Sequence, residues 1–164
     1  MKKYLLIAVM AIASVAYVNA QPRAIGANLG GGLGFSYQHG FGESNMLDVD
    51  VHVPLFGLFS KHYGVGANIT YDWIDPFNAP VPWNNKGEWH WYMGVGGAGG
   101  MYSFKDTWWY AGVAGHIGIE YDFWFPFQLS LDWRPSFGVS NWDGKMGFDL
   151  PGLYGVQLGI RYKF

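Results

Sequence analysis

Six charged residues in the last third of the sequence occur in pairs, and the members of each pair are two positions apart. They are Glu120, Asp122, Asp132, Arg134, Arg161 and Lys163. Residues two apart on a β-strand point to the same face of the sheet, so three neighbouring strands would bring these acids and bases together. Buried charges need partners of opposite sign. The spacing therefore predicts an internal salt-bridge network, with a proton or ion path as the alternative.

A second polar group lies earlier in the chain. Asp48, Asp50 and His52 share one face of a segment, and His62 and Asp72 lie on the corresponding face of the next. Carboxylate and imidazole groups are common metal ligands. However, residues i and i+4 on a strand are about 13 Å apart at a rise of about 3.3 Å per residue. One metal ion could use at most two of these groups, so the pattern favours interior hydrogen bonding. We predict no metal and no other cofactor.

The elements that must position these side chains are strands, and the last segment, 153–164, shows the pattern most clearly. Its apolar positions are Tyr154, Val156, Leu158, Ile160, Tyr162 and Phe164, and they alternate with Gly155, Gln157, Gly159, Arg161 and Lys163. Strict alternation of this kind is typical of a strand with two different environments. One face would suit lipid, and the other would suit a polar lumen.

The same alternation predicts eight strands, at 24–31, 33–38, 46–55, 62–73, 88–101, 108–123, 127–139 and 153–164. In all of them one face carries no Asp, Glu, Lys or Arg. An Arg or Lys on the lipid face of a barrel costs about 2–4 kcal/mol at the bilayer midplane. The predicted fold is therefore all-β, an eight-stranded antiparallel up-and-down transmembrane β-barrel. Glycines on the second face predict a filled lumen, because eight strands leave room only for side chains.

The strand count has an alternative. Residues 24–38 could form one long strand, with 145–150 as a short extra strand. Single-chain bacterial barrels have even strand counts, so we split the segment at its glycines and treat 140–152 as the last loop. This choice places the link at 74–87 on the periplasmic side, where turns are usually short.

Composition narrows the class of protein. The chain has 164 residues, of which 20% are aromatic and 13% charged, against about 25% charged in an ordinary soluble domain. Trp and Tyr gather near strand ends, as they do at membrane interfaces. A soluble barrel would instead bury these rings in one small lumen, which lacks the volume. The net charge of −2 offers no basic surface for nucleic acid, and the absence of cysteine excludes disulfides and thiol chemistry.

The first twenty residues have the features of a secretory signal peptide. Lys2 and Lys3 precede an apolar run that ends near Val18, and Ala20 is a small residue suited to cleavage. The run is short for a membrane anchor. We predict a signal peptide at 1–20, cleavage after Ala20, and a single barrel domain at 21–164.

Three stretches resemble the small eight-stranded outer-membrane barrels of Gram-negative bacteria, with the architecture of the OmpA and OmpX transmembrane domains. They are AIGANLGGGLGFSYQHG, GIEYDFWFPFQLSLDWRPSF and LGIRYKF. The resemblance implies the bacterial outer membrane, with its lipid as the surroundings. It also implies that Tyr162 and the terminal Phe164 form the signal that the barrel-assembly machinery recognises. Another outer-membrane protein is a candidate partner.

Enzyme activity is not predicted. Glu88, His90 and His116 are inward by pattern, and Ser103 and Ser130 are candidate nucleophiles. Outer-membrane enzymes that act on lipid A use His and Ser facing the lipid, whereas these histidines face the lumen, and no GxSxG elbow is present. The predicted role is structural or interactive, in membrane integrity or as accessory to another membrane protein. A narrow channel and a lipid-modifying enzyme remain the alternatives.

Overall fold

The computed structural model describes residues 23–54, 63–75, 86–103, 107–153 and 155–164. The predicted signal peptide, His62 and most of the 74–87 link lie outside these residues. The strands are β1 Arg23–Leu29, β2 Gly32–Gly40, β3 Asn45–Pro54, β4 Tyr63–Ile74, β5 Glu88–Ser103, β6 Thr107–Asp122, β7 Phe127–Trp133, β8 Ser136–Trp142, β9 Lys145–Asp149 and β10 Val156–Lys163. No helix in the described ranges is long and apolar enough to cross a membrane.

The strands form one closed antiparallel sheet. Each strand from β1 to β6 pairs with the next, β7 pairs with both β6 and β10, and β10 pairs with β1. β7 and β8 both pair with β6, so together they count as the seventh strand of the barrel. β9 pairs with β8 and β10 pairs with β7, so together they count as the eighth. The architecture is a closed eight-stranded antiparallel barrel, which confirms the predicted fold class. Closure gives the backbone N–H and C=O groups of the wall partners in neighbouring strands.

The predicted strand at 127–139 is interrupted at Arg134 and Pro135. Proline lacks a backbone N–H, so it cannot donate to the ladder. The ladder continues through other groups at this point: the N–H of Gly115 donates to the carbonyl of Pro135 at 2.8 Å, and the N–H of Arg134 donates to that of Gly155 at 3.0 Å. The alternation of faces is kept across the break, so Arg134 and Ser136 both stay buried.

The region 140–152, predicted to be a loop, is largely a hairpin. β8 and β9 pair from Gly138 with Asp149 to Trp142 with Lys145. The two turn residues between them, Asp143 and Gly144, have φ values of 50° and 75°, as a two-residue hairpin turn of the common primed type requires. The predicted division of 24–38 into two strands at its glycines is confirmed, and the turn lies at residues 30–31. The short strand considered at 145–150 also exists, as β9 at Lys145–Asp149. With β8 it forms a hairpin that extends the barrel wall beyond the β1–β2 turn.

The two ends of the barrel differ. At one end, here called the terminal end, the N–H of Phe164 donates to the carbonyl of Arg23 at 2.8 Å. The turn at 41–44, the start of the link at Asp75 and the turn at 123–126 lie at this same end. The other end, here called the hairpin end, carries the β1–β2 turn and the β8–β9 hairpin. The 74–87 link therefore begins and ends on the side of the barrel where β1 starts and β10 stops.

Alternation along the strands separates an apolar outer surface from a polar interior. On β10, Ile160 is 54% exposed while its neighbour Arg161 is 1% exposed, and on β7, Leu131 is 49% exposed while Asp132 is 1% exposed. From Ala24 onward, no outward position of the described strands carries Asp, Glu, Lys or Arg. Burial is thus inverted relative to a soluble protein.

Aromatic rings surround much of the terminal end. A run of rings in contact, with centroids 4.9–5.8 Å apart, links Trp89, Tyr121, Phe123, Phe125, Phe127 and Tyr162. A second run joins Tyr37, His39, Phe41, Tyr71 and Trp73. Rings with an apolar body and a polar edge are typical of the boundary between hydrocarbon and water.

Candidate functional site: the polar lumen

The middle of the lumen is filled by a group of ionic side chains, here called the central cluster: Asp48, Asp50, Asp72, His116, Asp132, Arg134 and Arg161. Each of them is at most 3% exposed. They come from β3, β4, β6, β7, the β7–β8 junction and β10, so the closed barrel brings together residues that are far apart in sequence. Burial to this degree requires each charge to be compensated by a neighbour.

Arg134 crosses the lumen from the β7–β8 junction to β3, which lies on the opposite side of the barrel. Its Nη1 donates to Asp48 Oδ1 at 2.9 Å and also pairs with Asp50 Oδ2. Its Nη2 lies 3.8 Å from Asp132 Oδ2. Asp50 is held from its other oxygen by Asn28, whose Nδ2 donates to Oδ1 at 2.6 Å. Arg134 therefore ties opposite walls together through Asp48 and Asp50 on β3, while Asp132 lies beside it on its own wall.

Arg161 makes a second set of contacts across the lumen. Its Nε donates to Ser36 Oγ at 2.8 Å and its Nη1 to Ser130 Oγ at 2.7 Å. Its Nη2 lies 3.7 Å from Asp48 Oδ2 and 3.6 Å from Asp132 Oδ2. Two aspartates are thus shared by two arginines, which makes the cluster one connected network.

His116 occupies the other side of the cluster. Its Nδ1 lies 3.0 Å from Asp72 Oδ2 and 3.2 Å from Thr70 Oγ1, and its Nε2 lies 3.5 Å from Asp132 Oδ1. The hydroxyl of Tyr92, which is fully buried, donates to the same Asp132 oxygen. Carboxylates on both sides of the ring hold the imidazole in place.

One part of the cluster has the residue types of a metal site. Ligand atoms of Asp48, Asp72 and His116 lie within 4.8 Å of one another. The oxygens of Asp48 already accept from Arg134 at 2.9 Å and from Gln38 Nε2 at 3.0 Å, so a metal ion would compete with a guanidinium for that carboxylate. The arrangement is suited to holding the walls together and to blocking the lumen.

Two cavities lie on either side of the central cluster. The larger, here called the terminal-end cavity, has a volume of about 900 Å³ and is bordered by Glu43, Glu88, His90, Glu120, Asp122 and Lys163, among others. The smaller, of about 290 Å³, lies at the hairpin end beside His52, Tyr102, Trp108, Tyr110, Arg134 and Gln157. Of the cluster residues, Arg134 borders the hairpin-end cavity and none borders the terminal-end cavity. Along β3, β4, β6 and β10 the cluster residues lie between the residues that line the two cavities, so the cluster separates them.

Comparison with known proteins found a remote structural likeness. The chain is similar to a major outer membrane protein from Thermus thermophilus, with a TM-score of 0.48 and 15% sequence identity, over 89% of this chain and 100% of that chain. No protein-family model and no curated protein matches. A likeness this distant carries no argument about the role, which has to come from the site itself.

The six residues of the predicted salt-bridge network are not one unit. Asp132, Arg134 and Arg161 belong to the central cluster. Asp122 and Lys163 form a separate pair, with Lys163 Nζ 2.7 Å from Asp122 Oδ2, nearer the terminal end. Glu120 is 4% exposed and has no salt-bridge partner in the described ranges.

Asp48 and Asp50 were not predicted to belong to this network, because their pattern indicated only interior hydrogen bonding. Their inward position was visible from the alternation on β3. Their pairing with Arg134 was not, since β3 and the β7–β8 junction face each other only after the barrel closes.

The residues considered for nucleophilic chemistry are arranged differently from a Ser–His pair. Ser130 donates to Asp132 Oδ2 at 3.0 Å and accepts from Arg161. His90 lies 3.0 Å from Asp75 Oδ2 and 3.6 Å from Glu88 Oε2. Tyr162 and Phe164 are exposed, and their role as an assembly signal stays a prediction.

Proposed function

We propose that the protein is an integral β-barrel of the bacterial outer membrane whose lumen is sealed, and that its role is structural or interactive. Support for the membrane comes from the outer surface, where the outward strand positions carry no charged residue from Ala24 onward in the described strands. A single Arg or Lys there would cost about 2–4 kcal/mol at mid-bilayer. The aromatic rings of the terminal end match the girdle of such barrels.

The observation that carries the proposed role is the central cluster. Arg134 joins opposite walls, and Arg161 reaches from β10 across the lumen to Ser36 and Asp48, at a level where both arginine side chains are buried. A solute passing through would have to separate buried ion pairs, and breaking one such pair costs about 3–5 kcal/mol. A filled lumen of this kind agrees with the OmpA and OmpX type of architecture that the sequence resembles.

The proposed orientation places the terminal end in the periplasm, as in single-chain barrels with an even number of strands and both chain ends on that side. The hairpin end would then face the outside of the cell. Under this orientation the 74–87 link is periplasmic, as the strand count predicts.

A partner role is supported by the β8–β9 hairpin. Among the described strands, β9 pairs only with β8, so its second edge offers unpaired backbone groups. Nearby, Trp142, Met146 and Phe148 are 58%, 63% and 71% exposed. An open edge beside apolar side chains suits the addition of a strand from another protein. We infer another outer-membrane protein as the partner, because this surface continues the lipid-facing wall.

The membrane assignment is tested by fractionation. We expect extraction only by detergent and a gel mobility that differs between boiled and unboiled samples. Recovery in the soluble fraction without a mobility shift would refute it.

The sealed lumen is tested in planar bilayers. Wild-type protein should give a conductance equal to that of empty lipid, whereas the double variant Arg134→Ser/Arg161→Ser, which loses both cross-lumen cations, should admit small cations. Equal conductance of the two proteins above the lipid baseline would contradict the proposal and favour the channel alternative.

The partner is tested with a photo-crosslinking residue at position 148, compared with the same residue at Leu158 on the lipid-facing wall. We expect a discrete adduct with one outer-membrane protein at 148 and none at 158. The same adduct at both positions would indicate non-specific membrane contact.

A further inference from the structure

The terminal-end cavity has the size of a ligand site. Its volume is about 900 Å³, and cavities that bind small molecules usually measure about 300–1,000 Å³. It lies between the central cluster and the terminal end of the barrel. The sealed-lumen role makes no use of it.

Hydrogen-bond acceptors without donors lie in the cavity wall. Glu120 and Gln128, each 4% exposed, are lining residues, and Glu120 Oε2 and Gln128 Oε1 have no hydrogen-bond partner in the described structure. The same holds for Asp122 Oδ1, while the other oxygen of Asp122 is paired with Lys163. Asp122 and Gln128 are register partners on β6 and β7, and Glu120 shares their face. A buried acceptor without a donor costs about 1–3 kcal/mol, so this wall is suited to a ligand that donates.

The charge of the cavity also favours a cation. The described lining residues include four carboxyl side chains, Glu43, Glu88, Glu120 and Asp122, and two basic ones, Arg23 and Lys163. Counted as formal charges, with every carboxyl ionised and His90 neutral, these side chains give a net charge of −2. Glu43 and Glu88 are exposed, the latter with 74% of its side chain accessible, so the acidic groups are spread from the mouth to the floor.

The spread of these acids argues against a single metal ion. Within the described ranges, the group of three His or acidic residues compact enough to hold one ion is Asp48, Asp72 and His116, and it lies outside this cavity. The cavity wall also includes Ala24, Met46 and Ile74, which offer apolar contact. Acidic groups together with an apolar surface fit a ligand that has a stem of methylene groups and a charged hydrogen-bond donor at each end.

We propose that the terminal-end cavity binds an organic polycation of the polyamine class, with one ammonium group at Glu120, Asp122 and Gln128 and another near Glu43 and Glu88. The methylene stem lies along Met46 and Ile74. This site is additional to the sealed-barrel role, and under the proposed orientation it opens to the periplasm.

The test is calorimetric titration of spermidine into the full-length mature barrel, folded in non-ionic detergent at low salt. We expect saturable binding with one spermidine per barrel. The variant Glu120→Gln should lower the affinity about tenfold, the loss expected for one hydrogen bond between charged partners. The control Asp149→Asn removes the same charge from β9, at the hairpin end, and should leave the affinity unchanged.

Two further titrations separate the candidate ligands. n-Butylamine, which has the stem and one ammonium, should bind at least about tenfold more weakly than spermidine if both ends are recognised. MgCl₂ should give no comparable heat. Binding of Mg²⁺ that Glu120→Gln abolishes, without binding of spermidine, would overturn the proposal, and so would equal affinity of wild type and Glu120→Gln for spermidine.

Folding is checked independently of binding. Each variant is titrated only after its unboiled gel mobility matches that of the wild type. Should Glu120→Gln not fold, Glu88→Gln at the exposed mouth serves in its place, with an expected loss of about threefold for a solvent-screened contact. A folded, detergent-extracted barrel that binds no spermidine would refute the ligand site and leave the membrane assignment intact.

Discussion

Arg134 provides the sharpest test of how the barrel is held together. The substitution Arg134→Met keeps a long side chain in the lumen but removes the guanidinium. Asp48 and Asp50, which are 0% and 1% exposed, would then lose the cation that pairs with both of them. Removing one partner of a buried ion pair leaves an uncompensated charge and costs about 3–5 kcal/mol.

Lys163 provides the matched control, because it is also an inward cation paired with an aspartate. Its side chain is 32% exposed, against 2% for that of Arg134, and within the described residues it forms an ion pair with Asp122. An ion pair accessible to water contributes about 0–1 kcal/mol. Lys163→Met should therefore cost several-fold less free energy of unfolding than Arg134→Met.

The assay is urea unfolding of the barrel in phospholipid vesicles, followed by tryptophan fluorescence and by the fraction that keeps the unboiled gel mobility. A double variant, Arg134→Met/Asp50→Asn, adds a second check. Since an asparagine at position 50 would carry no charge and could still accept from Asn28, the double variant should recover about 0.5–3 kcal/mol relative to the sum of the single effects. Equal destabilisation by Arg134→Met and Lys163→Met, or strict additivity in the double variant, would refute the view that the central cluster is an electrostatically coupled buried unit.

Three further predictions concern the wall. Leu131→Arg, on the outward face of β7, should destabilise the membrane-inserted barrel by about 2–4 kcal/mol, whereas Phe148→Arg on the exposed hairpin should cost less than about 1 kcal/mol. Unfolding in vesicles measures both free energies, and equal costs would contradict the lipid-facing assignment of Leu131. Gly96→Val should prevent folding, because a Cβ at Gly96 would meet the backbone of Ile69 on β4. Gly147→Val should fold, because a Cβ at Gly147 would have no heavy atom within 4 Å. The unboiled gel mobility distinguishes the folded variant from the unfolded one. Gly144→Ala should cost about 1 kcal/mol because φ at this turn is +75°, and an unchanged unfolding midpoint would count against the turn assignment.

Much of the fold is predictable because a strand in this environment leaves a local signal. The faces of consecutive residues differ in polarity, so lipid-facing Ile160 and lumen-facing Arg161 can be told apart from sequence alone. The glycines at residues 30–31 mark the first turn correctly for the same local reason. The loop prediction at 140–152 was wrong because polar residues and glycine are common both in loops and in two-residue hairpin turns. In addition, β8 pairs with β9 in a part of the wall that extends past the other strands, and no local signal marks this extension.

The candidate site is less predictable. Arg161 and Lys163 are both inward, as predicted, yet Arg161 belongs with Asp132 in the central cluster whereas Lys163 pairs with Asp122 nearer the terminal end. Position along the barrel axis decides this division, and it depends on register and strand tilt, which no single segment encodes. Glu120 illustrates the consequence: its inward direction was predicted, but its lack of an ion partner among the described residues and its place in a cavity wall depend on side chains from other strands.

The order of the residues is enough to predict the strands, the apolar face of each strand and the inward position of the charges. These properties follow from the chemistry of adjacent residues and from the period of two that a strand imposes. Folding is needed to bring Arg134 to Asp48 and Asp50 across the lumen and to place acceptors around a cavity near the terminal end. Closing the sheet brings β3 opposite the β7–β8 junction, and such contacts across a barrel join residues whose separation in sequence carries no information about their distance in space.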